Sequence, residues 1–288
     1  MDNNNGCRSL GRVTDNETLG SMVRLTLAIP GWRGARPGQF AILQAEPSRC
    51  FFGRAVSVSD EAGETASFLV APVGEGTGEL CSLGCDDAVW ALGPLGNGFD
   101  LEALTTGPGR TVIVGGGVGV APFPLLLAHL AERLPRDPQK SAIPGHGGLG
   151  GVTREVIVLV GFRDAEQAQG AEPLQETAAR MGEAGLSCRL EMATEDGSRG
   201  PAEKVTDLLE RHLEPGDRVA ACGPEAMARA VWRLCSRVPE VGVWFSLEAN
   251  MACGVGSCHG CAITLADGSY ARVCHDGPVF VGKEVFGG

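Results

Sequence analysis

The sequence predicts a multidomain chain: an antiparallel β-barrel, then an α/β unit with a parallel sheet that binds a nucleotide, then a small C-terminal unit built on cysteines. Three observations predict it. Up to Leu104, short apolar runs are separated by Gly, Pro, Asp and Ser clusters at roughly ten-residue spacing, as in a small antiparallel barrel or sandwich. From Arg110 to Pro239, apolar runs alternate with helix-length stretches, which builds a parallel sheet covered on both faces. Past Val241, four of the 11 cysteines gather at positions 253, 258, 261 and 274. The expected limits are 9–105, 106–239 and 240–288.

The barrel strands are expected at Met22–Ile29, Phe40–Leu43, Ala55–Val58, Ala66–Val70 and Ala88–Leu92. Residues Val23 to Ile29 alternate apolar and polar, as a half-buried strand does. In the second unit, Thr111–Val114 is a continuous apolar run ending in glycines, and Phe123–Leu134 reads as an apolar helix. Strands at Val156–Val160, Ser187–Met192 and Arg218–Cys222 alternate with helices at Pro173–Ala184, Pro201–His212 and Glu225–Ser236. The Pro/Gly-rich stretch 135–154 has too few apolar residues to pack and is expected to be a mobile surface insertion. His146 lies in it, among glycines that hold no ligand rigidly. Outside the cluster, Cys50, Cys81, Cys85, Cys188 and Cys235 are expected to be buried small apolar residues.

Composition narrows the function. Apolar residues at 43% and charged residues at 20% make a globular mix and exclude a disordered chain. The 43 glycines, roughly twice average usage, follow no collagen register and imply tight turns or close backbone approach to a ligand. A net charge of −11 argues against a nucleic-acid partner. The longest apolar candidate, Val118–Leu134, is interrupted by Pro122, Pro124, His129, Glu132 and Arg133, so no membrane span is expected. Residues Met1 to Cys7 show no secretory pattern. The expected location is the cytoplasm, where many cysteines mean metal or cofactor chemistry rather than disulfides.

The cluster spacing is Cys253-x4-Cys258-x2-Cys261-x12-Cys274, the plant-type arrangement of a 2Fe-2S cluster. A rhombic two-iron centre needs thiolates converging from several directions, with backbone N–H groups turned toward the sulfurs. Gly254, Gly256 and Gly260 permit such a loop. The other reading is a structural zinc site, but zinc sites favour two short C-x2-4-C pairs and only Cys258 and Cys261 form one. His259 and His275 are expected on the solvent side, since four cysteines already complete the ligand set.

Gly115, Gly116, Gly117, Val118, Gly119 and Pro122 form a strand–turn–helix junction where a pyrophosphate can approach the backbone. The ordinary dinucleotide fingerprint wants an acidic residue about 20 residues further on, at the end of the second strand; here that strand ends at Gly161–Asp164, roughly 45 residues on, so this is not an ordinary dehydrogenase unit, and a turn needed only for packing is the other reading. A second glycine run, Val73 to Gly78, precedes a helix start expected near Glu79 and Leu80. It suits a phosphate, with Thr77 donating its hydroxyl, or a plain hairpin turn. Arg54, Ala55, Val56 and Ser57 open an apolar strand. Arg54 can pair with a pyrophosphate and Ser57 can hydrogen-bond a ring, or the two are a surface charge and a strand hydroxyl.

Taken in order, these pieces resemble the ferredoxin–NADP reductase superfamily, and within it the electron-transfer subunits of two-subunit, NAD-dependent dihydroorotate dehydrogenases. The matching stretches are Pro37–Phe40, Arg54–Ser57, Val73–Thr77, Leu92–Phe99, Gly115–Pro122, Cys222–Pro224, Ser246–Gly254 and Arg272–Phe280. The resemblance implies FAD in the barrel, with Arg54, Ala55, Val56 and Ser57 at the flavin and its pyrophosphate. Leu69, Val70 and Ala71 would line the ring through their backbone, and Gly76 and Thr77 would hold phosphates. It implies NAD(H) in the second unit, at Gly115–Gly119, Pro122, Gly223 and Pro224, with Cys222 near the nicotinamide as the catalytic candidate. It implies a 2Fe-2S cluster on Cys253, Cys258, Cys261 and Cys274. The family usually has proline where this chain has Ala55.

The chemistry implied is an electron relay: a hydride pair enters from NADH, the flavin splits it, and the cluster passes single electrons to or from a partner. The implied partner is an FMN-containing dihydroorotate dehydrogenase catalytic subunit, in a heterotetramer of two of each, serving pyrimidine biosynthesis. Related small subunits, of an NADH-dependent ferredoxin:NADP+ oxidoreductase or a sulfide dehydrogenase, are the alternative. A zinc-stabilised binding protein on the same scaffold is a second one.

Overall fold

A computed structural model of the chain describes residues 6–107, 109–134 and 155–287. The expected insertion over 135–154, with His146, lies outside the described residues. Eight elements make the first part: β1 (Cys7–Leu19), β2 (Met22–Ala28), β3 (Phe40–Glu46), β4 (Arg54–Ala62), β5 (Thr65–Val70), α1 (Glu75–Cys81), β6 (Ala88–Leu95) and α2 (Leu101–Thr105). The six strands close a barrel in the order β1-β2-β5-β4-β3-β6. Alternation places Leu25, Leu27, Leu43, Val58, Phe68 and Val89 inside it, as a period of two requires. The strand β1 departs from expectation. Its apolar residues are few (Leu10, Val13, Leu19), and it is held by pairing to both β2 and β6, a long-range constraint that local pattern does not carry.

One detail of the barrel matters for function. The β4–β5 ladder reaches Val58 opposite Phe68 and is registered no further toward the cleft. There β4 runs back to Arg54 paired only with β3, and β5 continues to Val70 paired only with β2. Two backbone edges therefore face each other across an opening in the wall.

The second part is β7 (Thr111–Gly116), a 3-10 turn (Gly117–Val120), α3 (Phe123–Arg133), β8 (Glu155–Phe162), α4 (Glu172–Glu183), β9 (Ser187–Thr194), α5 (Val205–His212), β10 (Arg218–Cys222), α6 (Glu225–Cys235) and β11 (Gly242–Ser246). The tail adds β12 (Ala262–Thr264), β13 (Tyr270–Arg272), β14 (Val279–Val281) and α7 (Gly282–Phe286). The sheet order is β14-β11-β10-β7-β8-β9, parallel except for β14. Residues Val156 to Val160 are buried without a break, as in a sheet with helices on both faces. Because β11 and β14 belong to it, this sheet continues past residue 239.

The helix expected over Pro201–His212 is shorter. Ala202 bridges to Thr194 in extended form, and α5 starts only after Lys204, whose backbone N–H donates to the Asp207 carboxylate at 2.8 Å. The α1 helix begins at Glu75 rather than near Glu79. Of the scattered cysteines, Cys235 is buried, Cys50, Cys81 and Cys188 are half-buried, and Cys85 is exposed. The cysteine unit packs on the barrel wall through Phe40, Ile42, Leu95, Val273 and Phe280.

Two glycines test this packing in opposite directions. A Cβ on Gly119 would lie 2.5 Å from the Cys222 carbonyl oxygen and 2.6 Å from the Gly223 Cα, backbone that cannot swing away. Gly119→Val is expected to cost about 1–3 kcal/mol or more, read as a lower denaturant midpoint. Gly182, in α4, has nothing within 4 Å of that position, so Gly182→Ala is expected to gain about 0.4–1 kcal/mol.

Candidate functional site

A cleft of about 830 Å³ lies where barrel, sheet and cysteine unit meet, a size suited to a cofactor. The barrel contributes Arg54, Ala55, Val56 and Ser57 from β4, Leu69, Val70 and Ala71 from the end of β5, and Thr77 from α1. The sheet contributes Val118 and Cys222, and the linker from β11 contributes Ser246 to Ala252. The opening between β4 and β5 thus forms one wall, and its backbone N–H and C=O groups can meet the polar edge of a planar ring.

Arg54 is held at this wall. Its guanidinium donates to the carbonyls of Phe52 (2.7 Å) and Gly53 (3.2 Å) and to the Cys50 sulfur (3.2 Å). A Cβ on Gly76 would fall 2.6 Å from that guanidinium, so glycine there lets the arginine lie on α1. Gly76 is buried beneath it rather than lining the cleft. The Thr77 hydroxyl is already engaged: it donates to the Gly74 carbonyl and accepts the Gly74 N–H, each at 3.0 Å.

The second glycine turn divides into distinct tasks. Gly115 and Gly116 end β7, and a Cβ on Gly116 would meet the Met227 sulfur at 2.5 Å. Gly119 packs on Cys222 and Gly223. Gly117 has φ +56° and open space around it, so it alone of these glycines faces room for a ligand. Pro122 caps α3, Gly223 has φ +156°, and Pro224 leads into α6. Of this turn only Val118 and Ala121 line the cleft itself; its glycines and Pro122 do not.

Cys222 ends β10 beside Ser246 at the end of β11. Burial, and then the nearby Glu248 carboxylate, push the Cys222 thiol well above its ordinary range, against a hydrogen bond with Ser246. Glu248 keeps an exposed side, yet the surrounding cleft desolvates its carboxyl and raises it. Sequence reasoning assigned no role to Ser246 or Glu248. The available signal was their place between a strand end and the first cluster cysteine.

The four cysteines lie near one another: Cys258 stands beside Cys253, and Cys274 is near both Cys261 and Cys253. All four are free of disulfides. Among the described residues, no three His, Cys, Asp or Glu side chains close on one ion position. Backbone donors point at the sulfurs: Gly256 N–H to Cys274 (3.1 Å), Cys274 N–H to Cys261 (3.4 Å) and Gly260 N–H to Cys258 (3.5 Å). Burial opposes ionisation of Cys253, but the N–H groups of Cys258, Val255 and Ser257, with the Cys258 side chain, bring it down to about 6. Burial and the shared contact with Cys261 push Cys274 up to about 12. A donor-lined set of this kind fits a sulfur-ligated cluster. Gly254 and Gly256 take positive φ (+70° and +78°), and so does His259 (+58°) in place of Gly260. His259 and His275 are both exposed. Gly260 and Ala252, each next to a cluster cysteine, line the cleft.

Comparison with known proteins agrees with this arrangement. Residues 248–286 match the iron-sulfur cluster binding domain of dihydroorotate dehydrogenase B, and residues 113–233 match the oxidoreductase NAD-binding domain. A solved NADH-dependent reduced ferredoxin-NADP oxidoreductase superposes with a TM-score of 0.75 at 24% identity, over 96% of this chain and 90% of that one. A ferredoxin NADP+ reductase from Neisseria gonorrhoeae superposes at 0.61 with 16% identity, over 83% and 99%. The fold is ferredoxin–NADP reductase-like, and it carries a match to an oxidoreductase NAD-binding domain. The "Dihydroorotate dehydrogenase B (NAD(+)), electron transfer subunit" of Listeria monocytogenes is 34% identical over 256 residues, 88% of each chain. That of Clostridium perfringens is 34% identical over 275 residues, 96% of each. The chain belongs to the family of dihydroorotate dehydrogenase B electron-transfer subunits.

Burial orders thiol reactivity here. Cys222 is raised by burial and Cys235 is pushed up to about 12, whereas Cys85 is exposed. Alkylation of the folded protein at pH 8 is expected to modify Cys85 and spare Cys222 and Cys235 until unfolding, as read by peptide mass spectrometry.

Proposed function

We propose that the chain relays electrons between NAD(H) and an FMN-containing dihydroorotate dehydrogenase catalytic subunit, using FAD and a 2Fe-2S cluster, in a cytoplasmic assembly of two copies of each subunit. The observation that carries this reading is the shared wall: one cleft is lined by the barrel opening, by Cys222 and by the residues adjoining Cys253 and Cys261. The family resemblance at 34% identity across most of the chain supports it over a related bifurcating or sulfide-oxidising subunit.

When bound, the flavin supplies exchange of electron pairs with nicotinamide and of single electrons with the cluster. The residues do the holding. The free edges of Arg54–Ser57 and Leu69–Ala71 grip the ring system, and Arg54 supplies the fixed positive charge for phosphate. Gly76 gives that arginine its seat. Gly115, Gly116, Gly117, Val118, Gly119 and Pro122 shape the turn that receives the nicotinamide dinucleotide, with Gly223 and Pro224 opposite. The buried, protonated Cys222 offers a neutral surface to the nicotinamide, steadied by Ser246. Cys253, Cys258, Cys261 and Cys274 hold the iron. On this reading the functional limits are 9–105 for FAD, 106–239 for NAD and 240–288 for the cluster. No helix of the described residues is long and apolar enough to cross a membrane.

The purified full chain is expected to be yellow-brown, to contain flavin and iron, and to reduce an artificial dye with NADH. It should oxidise dihydroorotate only with the catalytic subunit. Cys258→Ser should lose iron and electron transfer to that subunit while keeping flavin. A colourless zinc protein, or dihydroorotate oxidation by the lone chain, refutes the reading.

A further inference from the structure

Outside the ligand set, one side chain is tied into the cysteine unit by more bonds than its place on a short strand requires. Arg272 ends β13, two residues before Cys274. Its Nη1 donates to the Gly256 carbonyl at 3.2 Å. The Gly256 N–H in turn donates to the Cys274 sulfur at 3.1 Å. The Gly256 residue is therefore held at both its polar groups, by an arginine on one side and a cluster sulfur on the other.

The arginine is itself fixed. Its Nε meets Asp276 Oδ2 and its Nη2 meets Asp276 Oδ1, both at 3.1 Å, and its backbone N–H donates to Oδ2 at 2.7 Å. This two-pronged grip sets the plane of the guanidinium. His275 Nδ1 lies 2.8 Å from Asp276 Oδ1 and 3.1 Å from Arg272 Nη2. Asn97 on the barrel donates to the carbonyls of His275 and Asp276, each at 3.1 Å, and so ties the turn to the barrel. Gly256 has φ +78°, and a Cβ there would lie 2.9 Å from the His275 Cβ. The loop is pressed onto the turn, and a residue with a side chain would part them.

We propose that Arg272 raises the reduction potential of the cluster in two ways, as a positioning residue that holds the Gly256 N–H on the Cys274 sulfur and as a positive charge fixed beside the thiolates. The inference rests on the reading that the four cysteines hold a two-iron centre. A centre ligated by four thiolates gains negative charge on reduction, so each donor on a sulfur favours the reduced form. The Arg272 and Asp276 charges offset each other when both are present. Removing the arginine loosens the amide and leaves a carboxylate by the sulfurs. Neutralising Asp276 leaves the cation in place. The two changes act on the potential with opposite signs, whereas a purely structural role would move stability or iron content in the same direction for both.

The test is an EPR-monitored redox titration of the full chain with its cofactors, at fixed ionic strength. Arg272→Gln is expected to shift the cluster equilibrium about tenfold toward the oxidised form, a fall of about 59 mV for one electron. Arg272→Lys keeps the charge without the fork and should fall between this variant and the original. Asp276→Asn should shift upward. An unchanged potential in Arg272→Gln, or shifts of the same sign in Arg272→Gln and Asp276→Asn, overturns the proposal. If Arg272→Gln does not retain iron, Arg272→Lys falling while Asp276→Asn rises upholds it, and any other pattern rejects it. An original chain with no cluster signal removes the two-iron reading itself and this inference with it.

Discussion

The interaction on which the rest of the molecule depends is the seam between the barrel wall and the cysteine unit. Phe40, Ile42 and Leu95 from the barrel share a core with Val273, Phe280 and two cluster cysteines, Cys261 and Cys274. Glycine makes the approach possible. A Cβ on Gly254 would meet Ile42 at 2.7 Å and Leu95 at 2.9 Å, and one on Gly96 would meet Pro278 at 2.6 Å. Backbone bonds close the seam, with the Asn97 N–H on the Gly277 carbonyl at 2.6 Å and the Leu247 N–H on the Pro278 carbonyl at 2.9 Å. Burial at about 25 cal/mol per Å² of apolar surface holds a unit that is too small for a core of its own. Because β14 also pairs with β11, the same unit is pinned to the sheet, and the cleft has a fixed third wall.

Much of this was legible in the residues, for reasons that differ from site to site. The iron-sulfur domain over residues 248–286 declares itself because the spacing of Cys253, Cys258, Cys261 and Cys274 is written at short range. The buried strands β7, β8 and β10 are equally plain, since a sheet covered on both faces forces unbroken apolar runs. The strand β1 was hidden because its stability comes from partners far along the chain, Met22–Ala28 and Ala88–Leu95. The opening between β4 and β5 could not be read at all: it is a difference between two ladders, and no single segment encodes it. Thr77 shows a subtler limit. Its residue type suits phosphate, but the hydroxyl caps its own helix through Gly74.

The glycine turn after β7 separates two physical uses of one residue type. Gly119 and Gly116 are small because neighbouring protein atoms occupy the Cβ position, while Gly117 has a positive φ and open space. A run of glycines in sequence does not distinguish these cases. Only the surroundings show that one position faces room for a ligand and the others serve packing of α6 and β10 against β7.

Electrostatics in the cleft set a neutral thiol beside charged groups. Cys222 is kept protonated by burial and by Glu248, and Glu248 is itself raised by desolvation. A carboxyl raised in the folded state contributes its full relative stability below its unfolded value near 4.5 and loses it as pH rises toward the folded value. Glu248 is exposed on one side, so water screens much of this effect. At the rim, Arg54 sits with its guanidinium fixed by two carbonyls and a sulfur. Its donors are organised in advance, so an anion meeting them there would cost little side-chain entropy. The cleft thus joins a buried thiol to a fixed cation, an arrangement that needs no side chain to move.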